Sequence, residues 1–177
     1  MERIGLFCSA SKNVDAVFFQ YASAFGQWMG EHKKTLIYGG ANVGLMDCIS
    51  RTAKQYGARV IGVIPSRMLE LKRASTILDE MIPCRTLSDR KDTMLQRSEV
   101  LVAFPGGVGT LDEIFHVMAA ASLDYHHKKM IFYNVNGFWQ GMIDFLAGLE
   151  VQRFAHRPLK NYFTVADSPD ELTELLI

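Results

Sequence analysis

Six short apolar runs, separated by amphipathic stretches, constrain the fold of this 177-residue chain more than any other feature. RIGLFC (3–8), TLIYG (35–39), RVIGVI (59–64), EVLVAF (99–104) and KMIFYN (129–134) read as buried strands, and YFTVA (162–166) as a weaker sixth. Between the first two, Val14, Val17, Phe18, Tyr21, Phe25 and Trp28 recur at helical spacing and predict a helix over 14–30. Comparable helices fit 44–56, 88–97, 110–124, 138–150 and 168–176, whereas 66–80 is helix-compatible but poorly marked. Near-continuous apolar strands alternating with helices imply a parallel sheet covered on both faces. The expected fold is therefore a single α/β domain over 1–177, a Rossmann-like three-layer sandwich with a mainly parallel sheet.

Such sheets bind ligands beyond the carboxyl ends of their strands. Three strands run into suggestive loops, CSAS after the first, GGANVG after the second and PGGVGT after the fourth. All three are expected along one edge. Neither common nucleotide fingerprint fits. A G-x-G-x-x-G begun at Gly107 reaches Asp112 where the third glycine is required, and the glycine pair Gly39 and Gly44 is followed by Leu45-Met46 where a phosphate loop needs Lys and Ser or Thr. A dinucleotide dehydrogenase and a P-loop NTPase are thereby disfavoured. A generic phosphate site stays open, because glycine lets a ligand approach the backbone and a following helix offers free N–H groups.

In PGGVGTLDE (105–113), Thr110 and Glu113 also have the spacing of a capping box, with Thr110 opening the helix. In LSDRKDTMLQRSE (87–99), Ser88 is expected as N-cap, with Arg90 and Lys91 in the first turn. Cations there oppose the helix dipole at a cost of about 0.3–1 kcal/mol when exposed. Chain reversal through the strand between the two segments returns Arg90 and Lys91 to the edge where PGGVGT begins. Two cations, two helix N-termini and a carboxylate at one edge suit an anionic ligand beside a reactive centre.

Together, RKDTM (90–94) and PGGVGTLDE resemble the R-K-x-x-M and P-G-G-x-G-T-x-x-E motifs of the LONELY GUY family. Every fixed position matches, and the likeness continues through YGGANVGLM (38–46), GVIP (62–65) and HHK (126–128). The family's proteins are phosphoribohydrolases that cut nucleoside 5′-monophosphates, cytokinin ribotides among them, into free base and ribose 5-phosphate. The resemblance implies Arg90 and Glu113 as the catalytic pair. It implies Lys91, Gly106, Gly107, Val108, Gly109, Thr110, Leu111 and Asp112 as substrate-binding residues, and a homodimer. The family's other label, possible lysine decarboxylase, finds no independently marked pyridoxal lysine here, and no cofactor or metal is expected.

Breaking an N-glycosidic bond develops positive charge on the ribose, as in other glycoside transition states. Three roles are open to Glu113: stabilising that charge, binding ribose hydroxyls, or activating water. Arg90 stays protonated and suits an electrostatic, positioning role. The sequence departs from the family at Ala119-Ala120-Ala121-Ser122 (Thr-Trp-x-Gln in relatives), at Ala41 and Asp47 (glycines), and at Ser9 in Cys8-Ser9-Ala10. The family's upstream acidic contact falls on Glu70 only with a small insertion. The alternative is a non-catalytic protein that binds nucleoside monophosphates through an altered base pocket.

The remaining candidates read as structural. His126-His127-Lys128-Lys129 suits a solvated turn, Trp28 and Trp139 suit packing, and Cys8 has no base placed beside it by sequence. His116 suits the site or a structural position equally. FWQGMIDFLAGL (138–149) is apolar enough for a subunit interface. Nineteen basic and nineteen acidic residues argue against a nucleic-acid polymer as partner. Cys8, Cys48 and Cys84 form no C-x-x-C pair, and the opening apolar run is too short for a signal peptide or membrane span. A cytoplasmic protein, away from membranes, is the expectation.

Overall fold

A computed structural model of the chain describes residues 1–155 and 157–177. Its seven strands are β1 (Arg3–Phe7), β2 (Thr35–Tyr38), β3 (Arg59–Pro65), β4 (Glu80–Cys84), β5 (Val100–Ala103), β6 (Lys129–Tyr133) and β7 (Phe163–Ala166). All pair in parallel, in the order β4-β3-β2-β1-β5-β6-β7. The helices are α1 (Ala16–Glu31), α2 (Gly44–Gln55), α3 (Ser66–Glu70), α4 (Leu87–Arg97), α5 (Val108–Ser122), α6 (Gln140–Val151) and α7 (Pro169–Leu176). This is the expected three-layer α/β sandwich.

Period-two alternation divides the core between the faces of the sheet. Ile4, Leu6, Leu36, Tyr38, Val60, Val100 and Val102 share one cluster with Ala22, Phe25 and Met29 of α1 and Leu45 and Ile49 of α2. Phe7, Ile37, Ile61, Leu101, Ala103, Met130 and Phe132 share the other with Met94, Ile114, Val117 and Leu146 from α4, α5 and α6. Trp139 is buried in that second cluster, its indole N–H donating to the Ala103 carbonyl at 3.1 Å.

All six expected strands form, the weak sixth as β7. The stretch 66–80 differs: only Ser66–Glu70 is helical, and an edge strand, β4, begins at Glu80. Its sequence EMIPC hides this, because only Cys84 is buried and Pro83 interrupts the apolar pattern. Proline is tolerated at a sheet edge, where its missing N–H costs no ladder bond on the open side.

The β1–α1 connection leads to β2 on one side, whereas β5 lies on the other side of β1. The loops leaving β1 and β5 therefore diverge and open a crevice at the switch point. The Ser9 N–H donates to the Pro105 carbonyl at 3.1 Å, holding the two loops in register at its base.

Candidate functional site

The crevice is built from the loop after β1, the start of α2, the second turn of α4 and the start of α5. A cleft of about 270 Å³ lies there, lined by Cys8, Ser9, Ala10, Met46, Arg90, Gly107, Gly109, Thr110 and Glu113. The expected convergence of RKDTM and PGGVGTLDE is thus observed.

Helix α5 begins at Val108 rather than Thr110, and its N-cap is Gly107, with no side-chain cap bond. Thr110 is therefore not a cap. It sits inside the first turn, buried, behind the loop; a side-chain Cβ on Gly106 would fall 2.1 Å from its Oγ1. The space in front of Gly107 and Gly109 is open: a Cβ at either would meet nothing within 4 Å. An uncapped helix start facing a cleft leaves N–H groups for an anion.

Helix α4 differs in the same way. Thr86, not Ser88, is its N-cap, accepting from the Asp89 N–H at 3.0 Å, and Asp89 supplies the first-turn negative charge. Arg90 and Lys91 consequently lie a little deeper along the helix than expected. That position aims them across at α5. Arg90 Nη1 lies 2.6 Å from Glu113 Oε1, and both side chains are largely buried, 12% and 4% exposed. Lys91 Nζ lies 2.7 Å from Asp112 Oδ1 one step outside it. Gly39, at the end of β2, makes room for the inner pair, since a Cβ there would stand 2.1 Å from Arg90 Nη2.

Burial pushes the Glu113 carboxyl above its ordinary range, and the adjacent guanidinium and Lys91 oppose that rise without cancelling it. Burial likewise holds the Cys8 thiol far above its usual range, reinforced by the Glu113 charge. A thiol so held stays neutral, which disfavours Cys8 as a nucleophile.

Of the expected substrate-binding residues, Gly107, Gly109 and Thr110 line the cleft with Arg90 and Glu113. Gly106 and Gly107 border a second cavity of about 250 Å³ behind the loop, beside Val14, Phe18 and Phe138. Val108 is 82% exposed beside the cleft, and Leu111 packs against the core. Lys91 and Asp112 pair with each other at the rim. Glu70 is exposed on α3 and lines none of these cavities. Ser9, Ala10 and Met46 also line the cleft; sequence reasoning marked Ser9 and Ala10 only as a departure from the family and Met46 only within YGGANVGLM, and assigned none of them to the site.

His116 faces away from the cleft into a groove of about 560 Å³ between α4 and α5, near Asp92, Leu123, Tyr125 and His126. The His126–Lys129 stretch is less solvated than expected. His126 Nε2 lies 3.0 Å from the Val117 carbonyl, and burial lowers its affinity for a proton. Lys128 donates to the Leu95 and Gln96 carbonyls and so closes the C-terminal end of α4. Among the described residues no three histidine, cysteine or carboxylate side chains gather as a metal site, and no helix is long and apolar enough to cross a membrane.

Fold and cleft together define an α/β protein with a glycine-loop crevice and a buried Arg–Glu pair at the switch point of its sheet. The chain belongs to the LONELY GUY family, whose family model, described as "Possible lysine decarboxylase", matches residues 46–176. It is 32% identical over 170 residues to the probable cytokinin riboside 5′-monophosphate phosphoribohydrolase LOG4 of Oryza sativa subsp. japonica, covering 96% of this chain and 74% of that protein. Against the cytokinin riboside 5′-monophosphate phosphoribohydrolase LOG5 of Arabidopsis thaliana it is 28% identical over 175 residues, 99% of this chain and 77% of the relative. Among solved structures, the molybdenum cofactor carrier protein of Chlamydomonas reinhardtii superposes with a TM-score of 0.75 at 21% identity, covering 99% of this chain and 96% of that one. At such identity the likeness is one of fold.

Proposed function

We propose that this protein hydrolyses the N-glycosidic bond of nucleoside 5′-monophosphates, cytokinin ribotides or AMP, to free base and ribose 5-phosphate. The observation that carries this is the Arg90–Glu113 pair, buried and 2.6 Å apart in a cleft floored by the open glycines of PGGVGT. In this role the Gly107–Thr110 turn takes the phosphate on its free N–H groups, with Lys91 adding positive charge at the rim. Phosphate binding is remote from the bond broken, so it supplies orientation.

Glu113 then faces the ribose. Its carboxylate stabilises the positive charge that develops as the base departs, in a setting where little water competes. Arg90 opposes the rise that burial imposes on the Glu113 carboxyl and fixes its direction, while Gly39 leaves Arg90 its space. We further propose a homodimer through the α4–α6 layer, where Leu123 and Tyr125 stand exposed at the α4–α5 groove and Phe115 of α5 and Phe145 of α6 are exposed as well.

A second assignment rests on the departure from the family at Ala119–Ser122, of which Ala119 and Ala120 line the α4–α5 groove: a non-catalytic protein that binds nucleoside monophosphates. Release of free base from AMP and N6-isopentenyl AMP separates the two. Wild type is expected to release base, and Glu113→Gln to lose at least about a hundredfold in rate. Tight binding of the monophosphates with no base released would establish the non-catalytic binding protein instead.

A further inference from the structure

Both cations of the RKDTM segment are neutralised by neighbouring carboxylates of α5. Arg90 is paired with Glu113, and Lys91 with Asp112. Among the described residues lining the cleft, Arg90 is the one cation, so the site meets an incoming phosphate with no unpaired positive charge. A phosphate monoester carries nearly two negative charges at neutral pH. For a side-chain cation to reach it, one of the two pairs must open.

The two pairs differ in how readily they open. Glu113 is buried, and losing Arg90 would leave its charge with neither partner nor water, the costly way to break a buried pair. Asp112 is half exposed, while Lys91 is largely buried against it. Water takes over the Asp112 carboxylate when the lysine leaves, so this contact costs little to break. Lys91 Nζ, 2.7 Å from Asp112 Oδ1, is therefore the cation able to change partner.

The position of Asp112 sharpens its effect. On a helix a side chain leans toward the N-terminus, over residues three and four places earlier. For Asp112 these are Gly109 and Val108, in the first turn of α5, and Gly109 lines the cleft. The carboxylate thus flanks the turn assigned to the phosphate and sets one negative charge beside another. The charges of this pair also reach the centre of the cleft, where Asp112 raises the Glu113 carboxyl and Lys91 lowers it.

We propose that Asp112 is an internal anion that competes with the substrate phosphate for Lys91, restraining the site's hold on phosphate instead of binding substrate. This rests on the assignment of the cleft to a nucleoside monophosphate. Ribose 5-phosphate leaves with the phosphate that the substrate brought, and binding energy common to both adds nothing to the chemical step. A restrained hold keeps product release from becoming slow.

Titration calorimetry on wild type, Asp112→Asn and Asp112→Glu tests this with Glu113 intact. The probes are ribose 5-phosphate, formycin 5′-monophosphate, whose carbon–carbon glycosidic bond resists hydrolysis, and formycin, which lacks the phosphate. A melting curve checks that each variant keeps its fold. Asp112→Asn is expected to bind both phosphate-bearing probes about fivefold tighter than wild type, a gain that shrinks as salt rises. Formycin should bind all three proteins within about twofold, and Asp112→Glu should keep the wild-type affinities within the same margin. Weaker binding of the phosphate-bearing probes alone would make Asp112 the residue that positions Lys91 for phosphate. Equal weakening of formycin would make it a contact to the nucleoside. Either result, no change in Asp112→Asn, or an equal gain in Asp112→Glu overturns the competition while leaving the cleft a nucleotide site. If wild type binds none of the probes and releases no base from AMP, the nucleotide assignment falls and the competition with it.

Discussion

Arg90 and Glu113 are neighbours because three separate residues permit it. Thr86 starts α4 early enough to turn Arg90 across the cleft, Gly107 starts α5 without a cap, and Gly39 leaves the guanidinium its space. A methyl group at Gly39 would have to displace Arg90, so Gly39→Ala tests the pair without altering either member. The sign of its pH effect follows from the site. Burial raises the Glu113 carboxyl and Arg90 lowers it, so moving Arg90 away lets the carboxyl rise further. The acid limb of the rate profile should already lie above the ordinary glutamate range in wild type and move higher still in Gly39→Ala. The maximal rate should fall by about a hundredfold, the scale of a misplacement of about 1 Å at a reacting centre. An unmoved acid limb in rate-against-pH measurements would detach Arg90 from the ionisation of Glu113. The pair was legible in the sequence through the resemblance of RKDTM and PGGVGTLDE to the family's motifs. The space at Gly39 was not legible, since a glycine says nothing about which distant side chain fills the volume it leaves.

At the scale of elements, strands buried on both faces announced themselves as apolar runs, and their order along the chain implied parallel pairing. The edge strand β4 did not, because a strand with one neighbour and a half-exposed face needs few apolar residues. Helix starts were misplaced for a different reason. Thr110 and Ser88 both have capping chemistry, yet a cap is chosen by backbone conformation, and Gly107 and Thr86 are the extended residues there. Thr86 therefore carries a prediction. Thr86→Ala removes the side-chain acceptor for the Asp89 N–H and should cost about 1 kcal/mol in denaturant unfolding. Ser88→Ala should change stability by no more than about 0.5 kcal/mol, as surface substitutions do. Equal losses from the two would return the cap to Ser88.

The whole molecule balances a covered sheet against an uncovered layer of helices. α6 buries only Leu146 completely, while Phe145 is exposed, and at the end of α5 Leu123 and Tyr125 are 70% and 80% exposed. Single exposed apolar residues are ordinary, but several in one layer beside an apolar groove favour a protein contact. The apolar stretch 138–149 hinted at this from sequence, whereas Leu123 and Tyr125 became visible only once α5 was seen to end at Ser122 and leave them lining the groove. A second copy of the chain satisfies such a face if each partner contributes about 800 Å². Light scattering on the eluting protein should then give twice the chain mass. Leu123→Glu combined with Phe145→Glu should give the single-chain mass, because burying two carboxylates against apolar surface costs several kcal/mol. Both sites are exposed in the single chain, so the variant should keep its folded spectrum. Wild type eluting at the single-chain mass at micromolar concentration would remove the dimer. A variant still of double mass would move the contact to another face. If the dimer holds, the α4–α5 groove is shut between subunits, and ligand entry is left to the sheet edge, where Arg90 and Glu113 face Ala10 and the glycine loop.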